Sequence, residues 1–563
     1  MTKKTVWQSI ALWLIPLTFL LIFFYQPLLA IFKLVFSERF SDGWQFFKWS
    51  QVSRPLFFTL YQAVLSTALT LAVGLPAAYL FARFQFAGRK ILRTLTTLPF
   101  ILPTVVVATA FNTLLGSRGW LNLGLMALFK LDTPPIQFVN SLGAILLAHV
   151  FYNSSIVIRM VGSGLSRLNQ NLPLAAQSLG ASPAKAFKEV TFALLMPSVL
   201  SATLMVFLFN FSSFGVVLML GGPQFATLEV EIFTQAMSRF NLPVAGLLSI
   251  IQLGFTLLVS VLINRVNIPR YGKSALAAES AGLRKPKKRI EKIFVAIMVL
   301  ILLLFMVTPI LSLLTRSFFS FEADRAAKVE TQAGFTLRYY RELFENREKS
   351  LFYVPPIMAV RNSMIYAGIT MIIATLLGLL AAYAMQSSGR LSEVLEPLFM
   401  LPLGASSVTL GLGFLIVFGS SLLTQGRFQV LIPIAHALVA LPLVTRTLVP
   451  ALRGIPETLR LAAKNLGAGP FRVFREVDLP LLFRPIAVCL LFAFTVSLGE
   501  FGASSFLSNV AMPTIPVAIY RYISQPGALN YGQALAMSSL LMVVCVAGSL
   551  IIERLKLPGE ELF

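Results

Sequence analysis

Pro456-Glu457-Thr458-Leu459-Arg460-Leu461-Ala462-Ala463-Lys464-Asn465-Leu466-Gly467 reads as a short helix set between two long apolar runs. Proline suits a first helical position, where its missing N–H costs nothing, and glycine just past the end permits a left-handed exit that side chains resist. The bracket encloses about three turns of 3.6 residues each. Ala462 and Ala463 give the segment a face without bulk, and Val477-Asp478-Leu479-Pro480 leads on into the next apolar run. A helix this short, too exposed for a core and too small-faced for a membrane span, is suited to lie in a groove of a partner protein.

The same arrangement occurs earlier in the chain, as Leu174-Ala175-Ala176-Gln177-Ser178-Leu179-Gly180 with Val190 beginning the exit. At an ungapped offset of 287 residues, His149 falls on His436, Arg159 on Arg446, Gly180 on Gly467, Pro183 on Pro470, Glu189 on Glu476, Phe214-Gly215 on Phe501-Gly502, and Thr227 on Thr514. The rare residues carry the weight, because the 2 histidines of the chain fall in register. A second block, Gly74-Leu75 and Ala77-Ala78-Tyr79 against Gly378-Leu379 and Ala381-Ala382-Tyr383, matches at an offset of 304 residues. The chain is therefore predicted to be a parallel duplication, with an insertion or deletion between the two matching blocks.

Each copy is apolar enough to need a membrane. Hydrophobic residues make up 57% of the 563 residues and charged ones 12%, and the mean hydropathy is +0.80; soluble domains carry about 25% charge. The 46 basic residues exceed the 23 acidic ones by 23, but they lie between apolar runs and read as topology signals rather than a nucleic-acid surface. Runs long enough to cross a hydrocarbon core of ~30 Å occur at about 11–31, 56–81, 95–115, 142–161, 192–220 and 242–263, then at 293–314, 364–385, 398–418, 430–448, 481–506 and 534–552. The expected fold class is thus all-α integral membrane, about 12 transmembrane helices in a 6+6 parallel repeat. The division is a first half over 1–264, a basic linker over 265–292 and a second half over 293–563.

Arg265, Arg270, Lys273, Arg284, Lys285, Lys287, Lys288, Arg289 and Lys292 stand in the linker against Glu279 and Glu291, which places it on the cytoplasmic side by the positive-inside rule. An even number of crossings then puts both termini inside. The first run is too long for the apolar region of a signal peptide and no small-x-small site follows, so it is expected to remain as an anchor.

Enzyme chemistry finds little to work with. The two histidines offer no ligand pair and no triad, and a structural role is expected for both. Cys489 and Cys545 lie inside apolar runs, which excludes a disulfide framework. Gly272-Lys273-Ser274 resembles the tail of a phosphate-binding loop, but Asn267 stands where the first glycine is required. No cofactor and no metal is expected on this chain, and any ATP would be bound by another. The one intramembrane carboxylate is Glu500, whose counterpart in the first half is Ser213. A carboxylate at such depth implies either a water-lined cargo path or a hydrogen-bonded place near the interface against a neighbouring helix.

Ala-Ala, three residues, Gly, nine residues, a β-branched apolar residue, one residue and Leu-Pro resembles the cytoplasmic-loop motif of permease subunits of binding-protein-dependent ABC importers of type I. The second copy fits through Leu479-Pro480; the first has Phe192-Ala193 there, and Leu174 and Leu461 stand where the family often has glutamate. The resemblance covers about 56–263 and 361–552. It implies that Ala175, Ala176, Gly180 and Val190, with Ala462, Ala463, Gly467, Leu479 and Pro480, form coupling loops for two copies of an ATP-binding cassette subunit. It also implies that an extracytoplasmic solute-binding protein delivers the cargo, and that the chain lies in a bacterial inner membrane as a non-enzymatic transport subunit without nucleic-acid partners. Residues 144–153, Phe214 through Gly221-Gly222-Pro223 to Glu231-Ile232-Phe233, and Ser497-Leu498-Gly499-Glu500-Phe501-Gly502 are similar to the thiamine branch, with ferric iron the alternative cargo. Both are cations, and Glu500 with Ser213 is the candidate for their path. A secondary transporter of 12 helices, whose halves are also parallel repeats, is the more distant reading; it gives the duplicated loops no role.

Overall fold

The computed structural model describes residues 3–36, 48–169, 171–266, 283–320, 334–345, 355–387, 390–423 and 428–555. The middle of the basic linker, 267–282 with Arg270, Lys273, Glu279 and Gly272-Lys273-Ser274, lies outside the described residues, as does most of the loop at 321–333 and 346–354. The described residues form ten helices long and apolar enough to span a membrane, or twelve when two bent pairs are each taken as one span.

The bent pairs are the third spans of the two halves. In the first, Arg89–Ile101 and Thr104–Phe129 meet at 111°; in the second, Leu395–Pro402 and Ser407–Gly419 meet at 94°. The first bend has a local cause. Leu102 precedes a proline, which disfavours helical backbone at that residue, and Leu102 and Pro103 are both extended at ψ 137° and 141°. The fifth spans also differ from the apolar runs that foretell them. They begin earlier, at Pro183 and Pro470, and end at Phe211 and Gly499. The last apolar residues of each run belong instead to separate short helices, Gly215–Leu220 and Gly502–Leu507. A π turn lies near the head of each fifth span, at Phe187–Phe192 and Phe474–Asp478.

One compact unit comprises residues 48–230 and 254–316. Its centre is the contact of the second span, Ser50–Arg83, with the fourth, Leu142–Arg167, and the fifth. Ala78, Ala82, Val157, Val161, Leu165, Leu195, Ala202 and Val206 are buried together there. The approach is close because one partner is glycine: a Cβ on Gly74 would lie 2.6 Å from Val157 Cβ. Small residues at such crossings let helix backbones pack closely in a medium that offers no hydrophobic drive between helices. The seventh span, Arg289–Ser317, packs in this unit through Phe305 against Phe151 at 5.7 Å and through Ser312, which donates to Thr113 Oγ1 at 3.1 Å.

The end of the linker is fixed in the same unit. Arg284 N–H donates to the Arg83 carbonyl and Gln85 N–H to the Arg284 carbonyl. The Arg284 guanidinium lies 5.2 Å from the Phe84 ring centre and makes two bonds to Glu291, at 2.8 and 3.0 Å. The basic stretch therefore re-enters the fold at a defined point, beside the end of the second span.

The other unit comprises residues 1–47, 231–253 and 317–562. It repeats the glycine contact, with a Cβ on Gly378 placed 2.5 Å from Val444 Cγ1 between the eighth span, Pro356–Gln386, and the tenth, Leu431–Arg453. Here the leading span is that of the first half, Leu12–Val35. The Trp13 ring lies tilted 5.4 Å from that of Phe399, Phe23 lies 6.3 Å from Phe414, and the Tyr25 hydroxyl donates to the Leu398 carbonyl at 3.2 Å. The leading spans are thus exchanged: the first packs among residues of the second half, and the seventh among residues of the first.

Candidate functional site

Two surface helices, Asn171–Ser178 and Glu457–Asn465, carry the duplicated loops, and neither buries a residue. Their C-terminal turns are built alike. Leu179 N–H donates to Ala175 O, and Ala181 N–H to Ala176 O; Leu466 N–H donates to Ala462 O, and Ala468 N–H to Ala463 O, all at 3.0–3.1 Å. Between them stand Gly180 at φ +92° and Gly467 at φ +82°. A residue with a side chain strains that backbone, so glycine is what lets both chains turn out of the helix. Ala175 and Ala462 are exposed, and Ala176 and Ala463 half-buried. The residues before the glycines, Leu179 and Leu466, are 89% and 87% exposed. Two leucines pointed into solvent, flanked by small residues, make matching apolar knobs. Val190 and Leu479-Pro480 lie where each chain enters its fifth span, in or just after the π turns.

At the other end of each fifth span, a buried histidine holds the break between the span and the short helix that follows. In the first half, His149 Nδ1 pairs with Ser66 Oγ at 2.9 Å and Nε2 with Ser213 Oγ at 2.8 Å. In the second, His436 Nδ1 pairs with Ser497 Oγ at 2.7 Å, while Nε2 faces Ser504 Oγ at 2.9 Å and Glu500 Oε2 at 3.1 Å. The repeat extends to the chain that re-enters afterwards: Leu228 N–H donates to Thr59 Oγ1 at 2.9 Å and Ile515 N–H to Ser363 Oγ at 2.8 Å. These bonds tie the second, fourth and fifth spans of each half to the segment beyond the break. Polar groups withdrawn from water at this depth require such partners.

Glu500 is placed by this network. Its residue is 6% exposed, and its Oε1 accepts from Ala503 N–H at 2.8 Å while Oε2 accepts from Ser504 N–H and Ser504 Oγ at 3.0 Å. The carboxylate thus closes the first turn of Gly502–Leu507. Both oxygens are engaged within their own unit. Ser213 stands at the equivalent place, and its hydroxyl meets His149 Nε2.

Sequence reasoning passed over three residues that prove connected: Arg460, Asp478 and Tyr383. Arg460 Nε donates to Asp478 Oδ1 at 2.7 Å, and the Tyr383 hydroxyl to Asp478 Oδ2 at 2.8 Å. They come from separate elements at irregular spacing, and only the Asp478 carboxyl, lying just before Leu479-Pro480, offered a signal.

Comparison with known proteins agrees with the duplication. The family described as "Binding-protein-dependent transport system inner membrane component" matches twice, over residues 70–272 and 374–556. The chain is 26% identical over 557 residues to the "Probable ABC transporter permease protein y4fN" of Sinorhizobium fredii, covering 96% of this chain and 94% of that one. To the "Thiamine transport system permease protein ThiP" of Haemophilus influenzae it is 26% identical over 546 residues, covering 94% and 93%. A solved bacterial ABC transporter involved in the import of the acidic polysaccharide alginate aligns with 46% of this chain and 95% of its own at 18% identity and a TM-score of 0.41.

Proposed function

Because the chain belongs to the family of binding-protein-dependent transport system inner membrane components, we propose that it is the fused permease subunit of an ATP-driven importer for a small cationic substrate, thiamine in preference to ferric iron. The observation that carries the reading is the doubled loop: two exposed helices with the same glycine turn and the same outward leucine, one in each half. An ATP-binding dimer offers two equivalent grooves, and one chain with two such loops fills both. In this reading Ala175, Ala176, Gly180 and Val190 seat one ATP-binding subunit, and Ala462, Ala463, Gly467, Leu479 and Pro480 the other.

ATP is hydrolysed by those partners, and this chain supplies the passage and the mechanical link. The basic linker and both termini lie on the cytoplasmic side, with the loops that dock there. A binding protein on the opposite side delivers the cargo. The preference for thiamine is supported by the names of full-length relatives at 25–26% identity.

The test is reconstitution with the encoded ATP-binding subunit and binding protein in liposomes. ATP-dependent uptake of labelled thiamine, absent without the binding protein, is the expected result. Uptake of ferric iron instead would replace the cargo and leave the mechanism. Uptake driven by an ion gradient without ATP would replace the mechanism with secondary transport.

A further inference from the structure

The two docking loops are mounted differently. On the second, Arg460 turns inward from an otherwise exposed helix: its Nε donates to Asp478 Oδ1 at 2.7 Å and its Nη2 to the Leu452 carbonyl at 3.4 Å. The side chains of the pair are 13% and 5% exposed. Asp478 closes the π turn at the head of the fifth span of that half, and its second oxygen accepts from Tyr383 near the end of the eighth span of the chain. The Tyr383 ring also lies 5.8 Å from that of Phe474 in the same π turn. Docking helix, fifth-span start and second-span end of this half therefore converge on one carboxylate, and Arg460 also reaches the end of the fourth span.

The first half lacks this pair of charges at the matching positions. Its residues at the corresponding positions are Pro173 for Arg460 and Thr191 for Asp478. Proline has no donor in its side chain, and threonine carries no charge. Tyr79, the counterpart of Tyr383, packs edge-on against Phe84 and Phe294 at 5.8 and 6.0 Å. A buried carboxylate keeps its charge only where partners replace water, so an arginine and a phenol on it fix three elements firmly in place. Residues joined in this way move together.

We infer that Arg460, Asp478 and Tyr383 are positioning residues that form a strut from the second docking loop to the membrane helices, making that loop the stiffly coupled one and the first loop the compliant one. This rests on the reading of both loops as docking sites. Movement of the ATP-binding subunit under Glu457–Asn465 reaches the second and fifth spans of that half through the carboxylate. The first loop lies against its own π turn without such a pair.

The test uses the complete reconstituted importer and reads cargo transported per ATP hydrolysed, a ratio that a loss of protein does not alter. Arg460→Leu with Asp478→Thr removes both charges together, leaving neither buried and unpaired. The ratio is expected to fall at least threefold, while Arg460→Lys, which keeps the ion pair, retains it. Tyr383→Phe, which removes a single hydroxyl, is expected to lower the ratio by about twofold and is the decisive variant should the double one fail to assemble. Thr191→Val in the first half is expected to leave the ratio as it was. An unchanged ratio in the double variant and in Tyr383→Phe would overturn the strut, and an equal fall from Thr191→Val would overturn the asymmetry. If the unaltered complex itself fails to couple ATP hydrolysis to uptake, the docking reading has failed rather than the strut.

Discussion

Replacing Gly180 and Gly467 together by valine is expected to abolish transport, with the protein still inserted in the membrane. Both glycines lie in the left-handed region, at φ +92° and +82°, and a β-branched residue there costs about 1 kcal/mol or more at each site. A Cβ at either position meets no atom within 4 Å. The penalty is therefore backbone strain alone, relieved by unwinding the helix end, and the buried packing of the spans is left untouched. What changes is the direction in which Leu179 and Leu466 project. ATP hydrolysis should be lost or no longer stimulated by the binding protein. Uptake and stimulated hydrolysis at ordinary rates in the double variant would remove the glycine turns from the mechanism.

The second large effect is expected from Glu500→Gln, and it is a loss of stability before it is a loss of transport. The carboxylate receives Ala503 N–H, Ser504 N–H and Ser504 Oγ and faces His436 Nε2. An amide of the same size offers one acceptor oxygen and turns an NH2 group toward donors. At least one buried donor is then left without a partner, at a cost of about 1–3 kcal/mol. The short helix Gly502–Leu507 loses the group that closes its first turn. The yield of folded, detergent-soluble protein and its thermal midpoint should both fall clearly. Ser213→Ala, at the matching position in the first half, removes one neutral hydroxyl from His149 and should have a smaller effect. If the glutamine variant instead shows the thermal midpoint of the unaltered protein and still fails to carry cargo, the carboxylate serves the path.

Hydropathy reveals the spans because the bilayer imposes a length and an apolar composition on every one of them. The breaks inside the runs are set by smaller things. Pro103 bends the third span, and its signal was present in the sequence. The end of the fifth span at Phe211 is less legible, since Ser212 and Ser213 interrupt the apolar run only briefly before Gly215. Their hydroxyl chemistry matters once His149, distant in sequence, is brought beside them. The duplicated loops were readable because a glycine turn is a local requirement. The exchange of the leading spans has no local signature: Trp13 finds Phe399, and Phe305 finds Phe151, through tertiary packing alone. Arg460 and Asp478 are separated by 18 residues, but the helix that carries Arg460 ends at Asn465 and the next begins at Pro470, so no continuous period relates them, and their pairing follows from the turn that folds one helix back against the start of the next.

The most direct measurement is cross-linking from single cysteines at Leu179 and Leu466 to a cysteine-bearing ATP-binding subunit, with Val510, just past the short helix Gly502–Leu507 and so beyond the opposite end of the fifth span from the docking loop, as the third position. All three are exposed, at 89%, 87% and 62%, so access does not decide the outcome. The account predicts cross-links from Leu179 and from Leu466, one to each ATP-binding subunit, and none from Val510. Cross-linking from Val510, or from neither leucine, would contradict it.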